Sequence, residues 1–271
     1  MRIERLFTVL ILLTCWISAQ AETVDCTPVT SLPAIITTQG LYCLTGNLAT
    51  SQYSGAAVTI NANNVTLDLN GWKIGGQAAG TGTVANGIYS TANNVTVKNG
   101  IIRGFATGIY VTGRGATVQG ITADENTYIG IRVEGAGSVV QDNQVVDTGG
   151  STAASSVLAI GIYIEGAGSL VDNNLVSGLT ATGSGDEYGV FFFDAAQSTA
   201  RGNVVSDTTR GSGGSAGIMT STGSGVAVRN NIVTNFGICV YYYGSTGTYS
   251  RNIAISCDTP YSGGTAGTGN D

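Results

Sequence analysis

A short phrase recurs along this chain: a glycine, an aliphatic residue, a variable residue and then another small or apolar residue. It begins at seven glycines, which are Gly87, Gly108, Gly130, Gly161, Gly189, Gly217 and Gly237. Successive copies lie 20 to 31 residues apart, the length of one supersecondary unit with insertions in the middle of the chain. A unit this short cannot bury a hydrophobic face alone, so the units must stack on one another. The repeat therefore predicts a solenoid.

Each unit is built from short strands rather than helices. About ten residues after the glycine, an alternating segment leads through Asn or Gly into another aliphatic run, as in residues 139–146 and 226–233. Alternation with a period of two is typical of strands, and almost no stretch carries the spacing of an amphipathic helix. We expect about three short strands in each coil.

The alternation also assigns the faces of the first strand of each coil. The aliphatic residue after the glycine should point inward, as at Ile109, Ile131, Ile162 and Val190. The next residue should point outward, which predicts a column of Tyr89, Tyr110, Arg132, Tyr163 and Phe191. Two places further on, a second outward column would contain Thr91, Thr112, Glu134, Glu165, Phe193, Ser221 and Tyr241. These two columns form the surface on which chemistry is expected.

The repeated coils, together with the opening segment 60–71 and the closing segment 259–265, resemble secreted right-handed parallel β-helix repeat proteins of the pectin-lyase-like architecture. The resemblance covers roughly residues 35–271. It implies an all-β, single-domain right-handed parallel β-helix with N- and C-terminal caps. It does not imply an activity, because the architecture hosts lyases, hydrolases, epimerases, adhesins and proteins without known activity.

Four segments are expected along the chain. Residues 1–21 have two arginines before a short apolar run and end in Ala19-Gln20-Ala21, the pattern of a cleaved secretory signal peptide rather than a membrane span. Residues 22–55 are expected to cap the first coil, 56–258 to form the coils, and 259–271 to form a C-terminal tail or cap. The protein would then be secreted, periplasmic or displayed at the cell surface.

Four cysteines remain beyond the signal segment, and an even number in an exported protein favours disulfides. Three pairings are possible. Cys26 and Cys43 are 17 residues apart and Cys239 and Cys257 are 18 apart, each close to one coil. This spacing favours those two pairs, which would staple the two ends of the solenoid.

Asparagines recur immediately before the last aliphatic run of successive coils. They are Asn174, Asn203, Asn231 and Asn252. Stacked at one position, their amides would form a hydrogen-bonded ladder along the turn, and Asn tolerates the left-handed backbone that such turns require. We assign these residues a structural role.

Glu134 and Glu165 occupy the same position in adjacent coils, which would place their carboxylates at about the 4.8 Å spacing of neighbouring strands. Two carboxylates that close resemble the paired groups of a retaining glycosidase. Arg132 could stabilise charge beside them, or it could simply form a surface ion pair. These three residues are the candidate catalytic groups.

A substrate could be held by aromatic residues on the same face. Tyr110, Tyr163 and Phe191 flank the glutamates as stacking platforms for sugar rings would, and Asp194 closes the neighbouring strand. Insertions at residues 147–158 and 178–187 extend loops from the middle coils, where solenoids commonly build binding surfaces.

Several classes of function are disfavoured. The chain has no histidine, and it contains no calcium-binding Gly-Gly-x-Gly-x-Asp repeat or other metal-binding motif. No cofactor is therefore expected, and no motif supports a bound Ca²⁺. A net charge of −6 without a basic stripe argues against nucleic acid, and disfavours polyanionic glycans unless cations bridge them.

The sequence therefore favours an exported β-helix protein that binds an extracellular or cell-envelope polysaccharide without cleaving it, or serves as a surface scaffold. The alternative is a polysaccharide lyase or glycoside hydrolase that acts through Glu134 and Glu165. The number of subunits does not follow from the sequence.

Overall fold

The computed structural model describes residues 25–208 and 214–271 as a right-handed parallel β-helix, which confirms the predicted fold class. The predicted signal segment, residues 1–21, lies outside the described residues. One 3₁₀ turn, Gln77–Ala79, is the only helical element in the described ranges, and it is far too short to cross a membrane.

The strands form two parallel sheets. The first sheet has ten strands, one per coil: β2 (Ala34–Ile36), β5 (Ala56–Ile60), β8 (Asn86–Ser90), β10 (Thr107–Val111), β12 (Ile129–Val133), β15 (Ala159–Ile164), β18 (Glu187–Phe193), β21 (Ala216–Ser221), β24 (Ile238–Tyr243) and β27 (Thr259–Ser262).

The second sheet has eighteen strands, mostly two per coil, and wraps around the rest of the solenoid. These are β1 (Thr27–Val29), β3 (Gly40–Leu44), β4 (Leu48–Ala49), β6 (Val65–Asp68), β7 (Lys73–Gly75), β9 (Thr96–Arg103), β11 (Thr117–Asp124), β13 (Val139–Gln141), β14 (Gln144–Val146), β16 (Leu170–Asp172), β17 (Leu175–Ser177), β19 (Thr199–Arg201), β20 (Val204–Ser206), β22 (Val226–Arg229), β23 (Ile232–Thr234), β25 (Gly247–Ser250), β26 (Ile253–Ile255) and β28 (Thr265–Ala266).

The recurring glycine marks a place where two coils approach too closely for a side chain. In the ten-stranded sheet a Cβ on Gly161 would lie 2.6 Å from the carbonyl oxygen of Gly189, and a Cβ on Gly189 would lie 2.5 Å from that of Gly217. None of these three residues has a positive φ, so close approach rather than backbone strain selects glycine. The aliphatic residues that follow are fully buried, as predicted for Ile109, Ile131, Ile162 and Val190.

The seventh copy of the phrase is shifted by two residues. Ala216 pairs with Ile238 and Ile218 pairs with Val240, so the partner of Gly217 is Cys239 and not Gly237. Tyr241 accordingly lies beside Met219 in the first outward column, and the prediction that it belongs to the second column is wrong. Tyr243 occupies that place beside Ser221.

The predicted asparagine ladder is present and longer than expected. It begins at Asn143, continues through the four predicted residues, and ends at Asn270. Each side-chain amide in the middle of the ladder donates to the next Asn Oδ1 at 2.9–3.0 Å and to a strand carbonyl. Since Asn143, Asn174, Asn203, Asn231 and Asn252 are buried, the ladder satisfies backbone groups that water cannot reach.

Two disulfides close the ends of the solenoid with the favoured pairing, Cys26–Cys43 and Cys239–Cys257. Near the first disulfide, β2 pairs with β5 and β3 pairs with β6, so the segment before residue 56 continues both sheets. At the other end β27 and β28 pair with β24 and β25. Strand ladders therefore run into both predicted cap segments.

Candidate functional site

The outer face of the ten-stranded sheet carries the predicted site residues in register. Tyr110 pairs with Arg132, Arg132 with Tyr163, and Tyr163 with Phe191. All four side chains are partly exposed, while their strand neighbours point into the core. The first outward column is thus present as the alternation predicted, and it places an arginine between two tyrosines.

Arg132 is held by its neighbours on both sides. Its guanidinium carbon lies 4.6 Å from the centre of the Tyr110 ring and 4.8 Å from that of Tyr163, which is cation–π distance. Its Nε donates to Glu134 Oε1 at 2.8 Å, and a second nitrogen lies 2.5 Å from the same oxygen. Burial lowers the pKa of Arg132, but Glu134 and Tyr110 outweigh it, so the net pKa lies above its ordinary value.

Glu134 and Glu165 sit at equivalent positions, each one residue past the end of its strand. Glu134 N–H donates to the Val111 carbonyl and Glu165 N–H to the Val133 carbonyl, which continues the ladder between coils. Their side chains have different partners. Arg132 and the Tyr110 hydroxyl both donate to Glu134 Oε1, whereas Glu165 accepts from Tyr163 at 3.2 Å.

An aromatic row continues from Arg132 toward the C-terminal coils. The Tyr163 ring lies 5.5 Å from Phe191 and 6.5 Å from Phe193, and Phe193 is exposed. Phe193 takes the position that Glu165 has one coil earlier. Asp194 follows it in an exposed turn, where its backbone N–H donates to Ser221 and Thr222. Asp194 therefore lies one residue beyond the second outward column.

A pocket of about 250 Å³ covers the start of this face, and we call it the face pocket. Tyr110, Tyr128 and Arg132 line it from the sheet side. Thr83 and Val84 from the loop before β8, and Ser151, Ala153 and Val157 from the predicted insertion 147–158, line it from the sides. The insertion thus forms part of the wall of this pocket.

A second pocket, of about 320 Å³, was not foreseen from the sequence, and we call it the acid pocket. It is lined by Gln77, Thr81, Glu125, Thr127, Asp147 and glycines 80, 104, 149 and 150. No sequence motif singled out Glu125 or Asp147. The available signal was their spacing of 22 residues, one coil, after equivalent aliphatic strands.

Arg103 organises the acidic residues beside this pocket. It forms an ion pair with Asp124 at 2.9 Å and a shorter one with Glu125, which also accepts from Gln77 at 2.6 Å. The hydrogen bonds from Arg103 and Gln77 lower the pKa of Glu125, whereas burial raises that of Asp124. Glu125 is therefore held as a carboxylate at the pocket wall.

The loop before β8 and the insertion 147–158 each line both pockets. Gly80, Thr81 and residues 149–150 line the acid pocket. Thr83, Val84 and residues within 151–157 line the face pocket. The loops touch where Thr152 N–H donates to the Thr81 carbonyl at 3.1 Å and their hydroxyls lie 3.1 Å apart. The insertion 178–187 supports the second loop, since Val157 and Thr182 exchange backbone hydrogen bonds.

The partly buried tyrosines of this face predict a loss of stability in alkali. Burial and the bond to Glu134 raise the pKa of Tyr110 from 10.0 to about 12, and burial also raises those of Tyr163 and Tyr188. The folded chain keeps protons that the unfolded chain releases, so this stabilisation is complete below pH 10 and is lost as pH rises toward about 12. Thermal unfolding midpoints measured across that range should fall, and less steeply in Tyr110→Phe. A flat profile would contradict the assignment.

Comparisons with known proteins agree with this architecture. A family model described as a right-handed beta helix region matches residues 150–270. No curated protein sequence matches the chain. The chain is therefore a right-handed parallel β-helix protein, with the architecture found in tailspikes and pectate lyases.

Among solved structures, the chain is similar to the Dettilon tailspike protein, with a TM-score of 0.65 and 15% identity over 90% of this chain and 59% of that one. It is also similar to the enzymatically active domain of bacteriophage CBA120 tailspike protein 2, with a TM-score of 0.61 and 12% identity over 84% and 38% of the two chains. For pectate lyase Pel9A the TM-score is 0.51 and the identity 14% over 85% and 69%. The chain spans less than two thirds of either tailspike protein, and identities this low establish the fold alone.

Proposed function

We propose that this is an exported protein that binds a polysaccharide along the outer face of its ten-stranded sheet without cleaving it. The observation that carries the proposal is the face pocket, in which Arg132 lies between two tyrosine rings and loops form the walls. The likeness to a pectate lyase adds support, because pectate is itself a polysaccharide.

The chemistry of this face suits sugar rings. A sugar has an apolar ring face and a rim of hydroxyls, so it binds best where aromatic rings stand beside fixed hydrogen-bond groups. Tyr110, Tyr128 and Arg132 provide both at the face pocket. Tyr163, Phe191 and Phe193 extend the aromatic surface from coil to coil. Because the strands are rigid and evenly spaced at about 4.8 Å, little ordering of the protein is needed on binding.

The positions of the glutamates favour binding over catalysis. Neither Glu134 nor Glu165 lines the face pocket or the acid pocket. Glu134 Oε1 already accepts from Arg132 and Tyr110, so proton transfer to a substrate from this oxygen would break an ion pair. Glu134 is better suited to holding Arg132 in place between the rings.

A polysaccharide lyase or hydrolase is the second candidate function. It is favoured by the equivalent positions of Glu134 and Glu165 on adjacent coils and by the Tyr163 hydroxyl that orients Glu165. In this alternative Arg132 would stabilise charge, and Tyr110, Tyr163, Phe191 and Asp194 would hold the glycan. Cleavage that is abolished in Glu165→Gln would establish it.

The proposed setting is outside the cytoplasm, with an extracellular or cell-envelope polysaccharide as partner. The two disulfides support this setting, because such bonds persist in oxidising compartments.

The decisive experiment compares Arg132→Gln with the exposed control Arg114→Gln on a panel of neutral and acidic polysaccharides. Losing the guanidinium removes both cation–π contacts and leaves Glu134 without its cation, so we expect about a tenfold loss of affinity by calorimetry. Arg114→Gln should bind as the parent does. Reducing ends and unsaturated products are followed in the same samples.

Binding without product formation would support the proposal, and turnover would favour the enzyme. Absence of binding to every glycan, or equal binding by the two arginine variants, would overturn the assignment of this face.

A further inference from the structure

We infer that the acid pocket binds the ammonium group of an amino sugar, and so selects glycans that carry free amines. The inference rests on the proposed glycan binding and specifies the substrate class. It concerns Asp147, Glu125 and Thr127, which lie outside the columns on which the proposed function depends.

The fold places the two acidic residues at the same turn of neighbouring coils. Asp124 pairs with Val146 at the ends of β11 and β14, and the next residues, Glu125 and Asp147, turn the chain with positive φ values of 49° and 50°. Glu125 N–H donates to the Val146 carbonyl at 3.2 Å. The two acidic residues therefore occupy one position on neighbouring coils, and both line the same pocket.

The charges of this cluster do not balance. Asp124 and Glu125 share the single guanidinium of Arg103. The Asp147 carboxylate forms no side-chain hydrogen bond or ion pair within the described residues, 25–208 and 214–271. Three carboxylates against one arginine leave the site with an excess of two negative charges, which favours a cation as ligand.

Thr127 is a second observation that points to a ligand. It lines the same pocket, it is 5% exposed, and its hydroxyl oxygen has no hydrogen-bond partner among the described residues. A buried hydroxyl without a partner is costly in a folded protein, and an unfilled ligand site is one explanation of such a group.

The acceptors match an ammonium group in number. An ammonium has three N–H donors and no acceptor, and Asp147, Glu125 and Thr127 each offer an oxygen. The described residues contain no group of three or more Asp, Glu, His or Cys side chains that could hold a metal ion. These three oxygen acceptors therefore fit an organic ammonium group better than a metal ion.

The surrounding glycines leave room for a sugar ring. A Cβ on Gly80 or Gly150 would meet nothing within 4 Å, so there is open space beside the pocket at these two residues. On the next coil, Gly178 takes the position of Asp147, and a Cβ there would lie 2.5 Å from Asp147 Oδ1. A side chain at 178 would therefore press on the carboxylate that we assign to the ligand.

The test uses monosaccharides, so that it does not depend on polymer binding along the face. Glucosamine, N-acetylglucosamine and glucose are titrated into the labelled protein, and the amide resonances of Thr127, Gly149 and Gly150 are followed by NMR. We expect glucosamine to shift these resonances and to bind about tenfold or more tightly than the two uncharged sugars, since hydrogen bonds to charged groups are the stronger ones. Asp147→Asn should abolish this preference.

Two further variants separate binding from folding. Thr127→Val removes an unpartnered hydroxyl, so it should fold at least as stably as the parent while binding glucosamine several-fold more weakly. Asp142→Asn, the same change at an exposed turn of the same coil, should have no effect on binding.

Equal binding of the three sugars, or an unchanged preference in Asp147→Asn, would overturn the inference even if polysaccharides bind the face. Tighter binding of a lysine peptide than of glucosamine would overturn it in favour of a protein ligand. Loss of polysaccharide binding alone, with the glucosamine preference retained, would count against the proposed function and not against this pocket.

Discussion

Gly189→Ala should destabilise the protein by about 3 kcal/mol, because the added methyl group has no space between coils. Its Cβ would lie 2.5 Å from the carbonyl oxygen of Gly217 and would also overlap Val205 Cγ1. The Gly217 carbonyl belongs to the backbone of the next strand, so it cannot rotate away as a flexible side chain would. Either the hydrogen bonds between β18 and β21 lengthen or the valine leaves its rotamer.

The matched control is Gly46→Ala. Gly46 has no positive φ, and a Cβ there would meet nothing within 4 Å. Alanine restricts the unfolded chain, so this change should be neutral or stabilising by about 0.5 kcal/mol. Urea unfolding followed by circular dichroism gives both free energies. A Gly189→Ala protein as stable as the control would show that the coils can separate at no cost, contrary to the role assigned to the repeated glycine.

The sequence predicted the fold well because one physical constraint repeats in six consecutive coils, those of β8 to β21. Glycine is required wherever two strands of the ten-stranded sheet meet this closely, and the aliphatic residue after it must fill the core. The position of each glycine therefore fixes the register of its coil. The favoured disulfide pairs followed from the same logic, since a separation of one coil brings two cysteines together.

The prediction failed where the repeated phrase changes. Cys239 takes the place of the glycine in β24, and its side chain forms the disulfide with Cys257. Gly237 nearby imitates the phrase two residues too early. Tyr241 was assigned to the wrong column for that reason, and only the pairing of Ile218 with Val240 reveals the shift.

The candidate site was predictable in part. Alternation along a strand placed Tyr110, Arg132, Tyr163 and Phe191 in one column, since a side chain's face depends only on its own strand. The pockets were not predictable, because loops of different coils form them. Contact between Thr81 and Thr152, 71 residues apart, closes the wall above the sheet, and no local pattern encodes that contact.

The interior of the asparagine ladder gives the other large expected effect. Asn203→Ala should destabilise the protein by about 4 kcal/mol, since each buried polar group left without a partner costs roughly 1–3 kcal/mol. Asn203 Oδ1 accepts from the Asn174 backbone and side chain, both at 2.9 Å, and its amide donates to the Val171 carbonyl at 3.0 Å. Alanine replaces none of these bonds, and the site is closed to water.

The end of the same ladder provides the comparison. Asn270 accepts from Asn252 at 3.2 and 3.4 Å, and its own side chain is partly exposed, so water can replace what Asn270→Ala removes. We expect that change to cost about 1 kcal/mol. If urea unfolding gave equal losses for the two variants, the ladder would stabilise the coils only through turn conformation, and the hydrogen bonds between amides would contribute nothing measurable. A graded loss from the interior to the end would instead show that the amide chain itself joins one coil to the next.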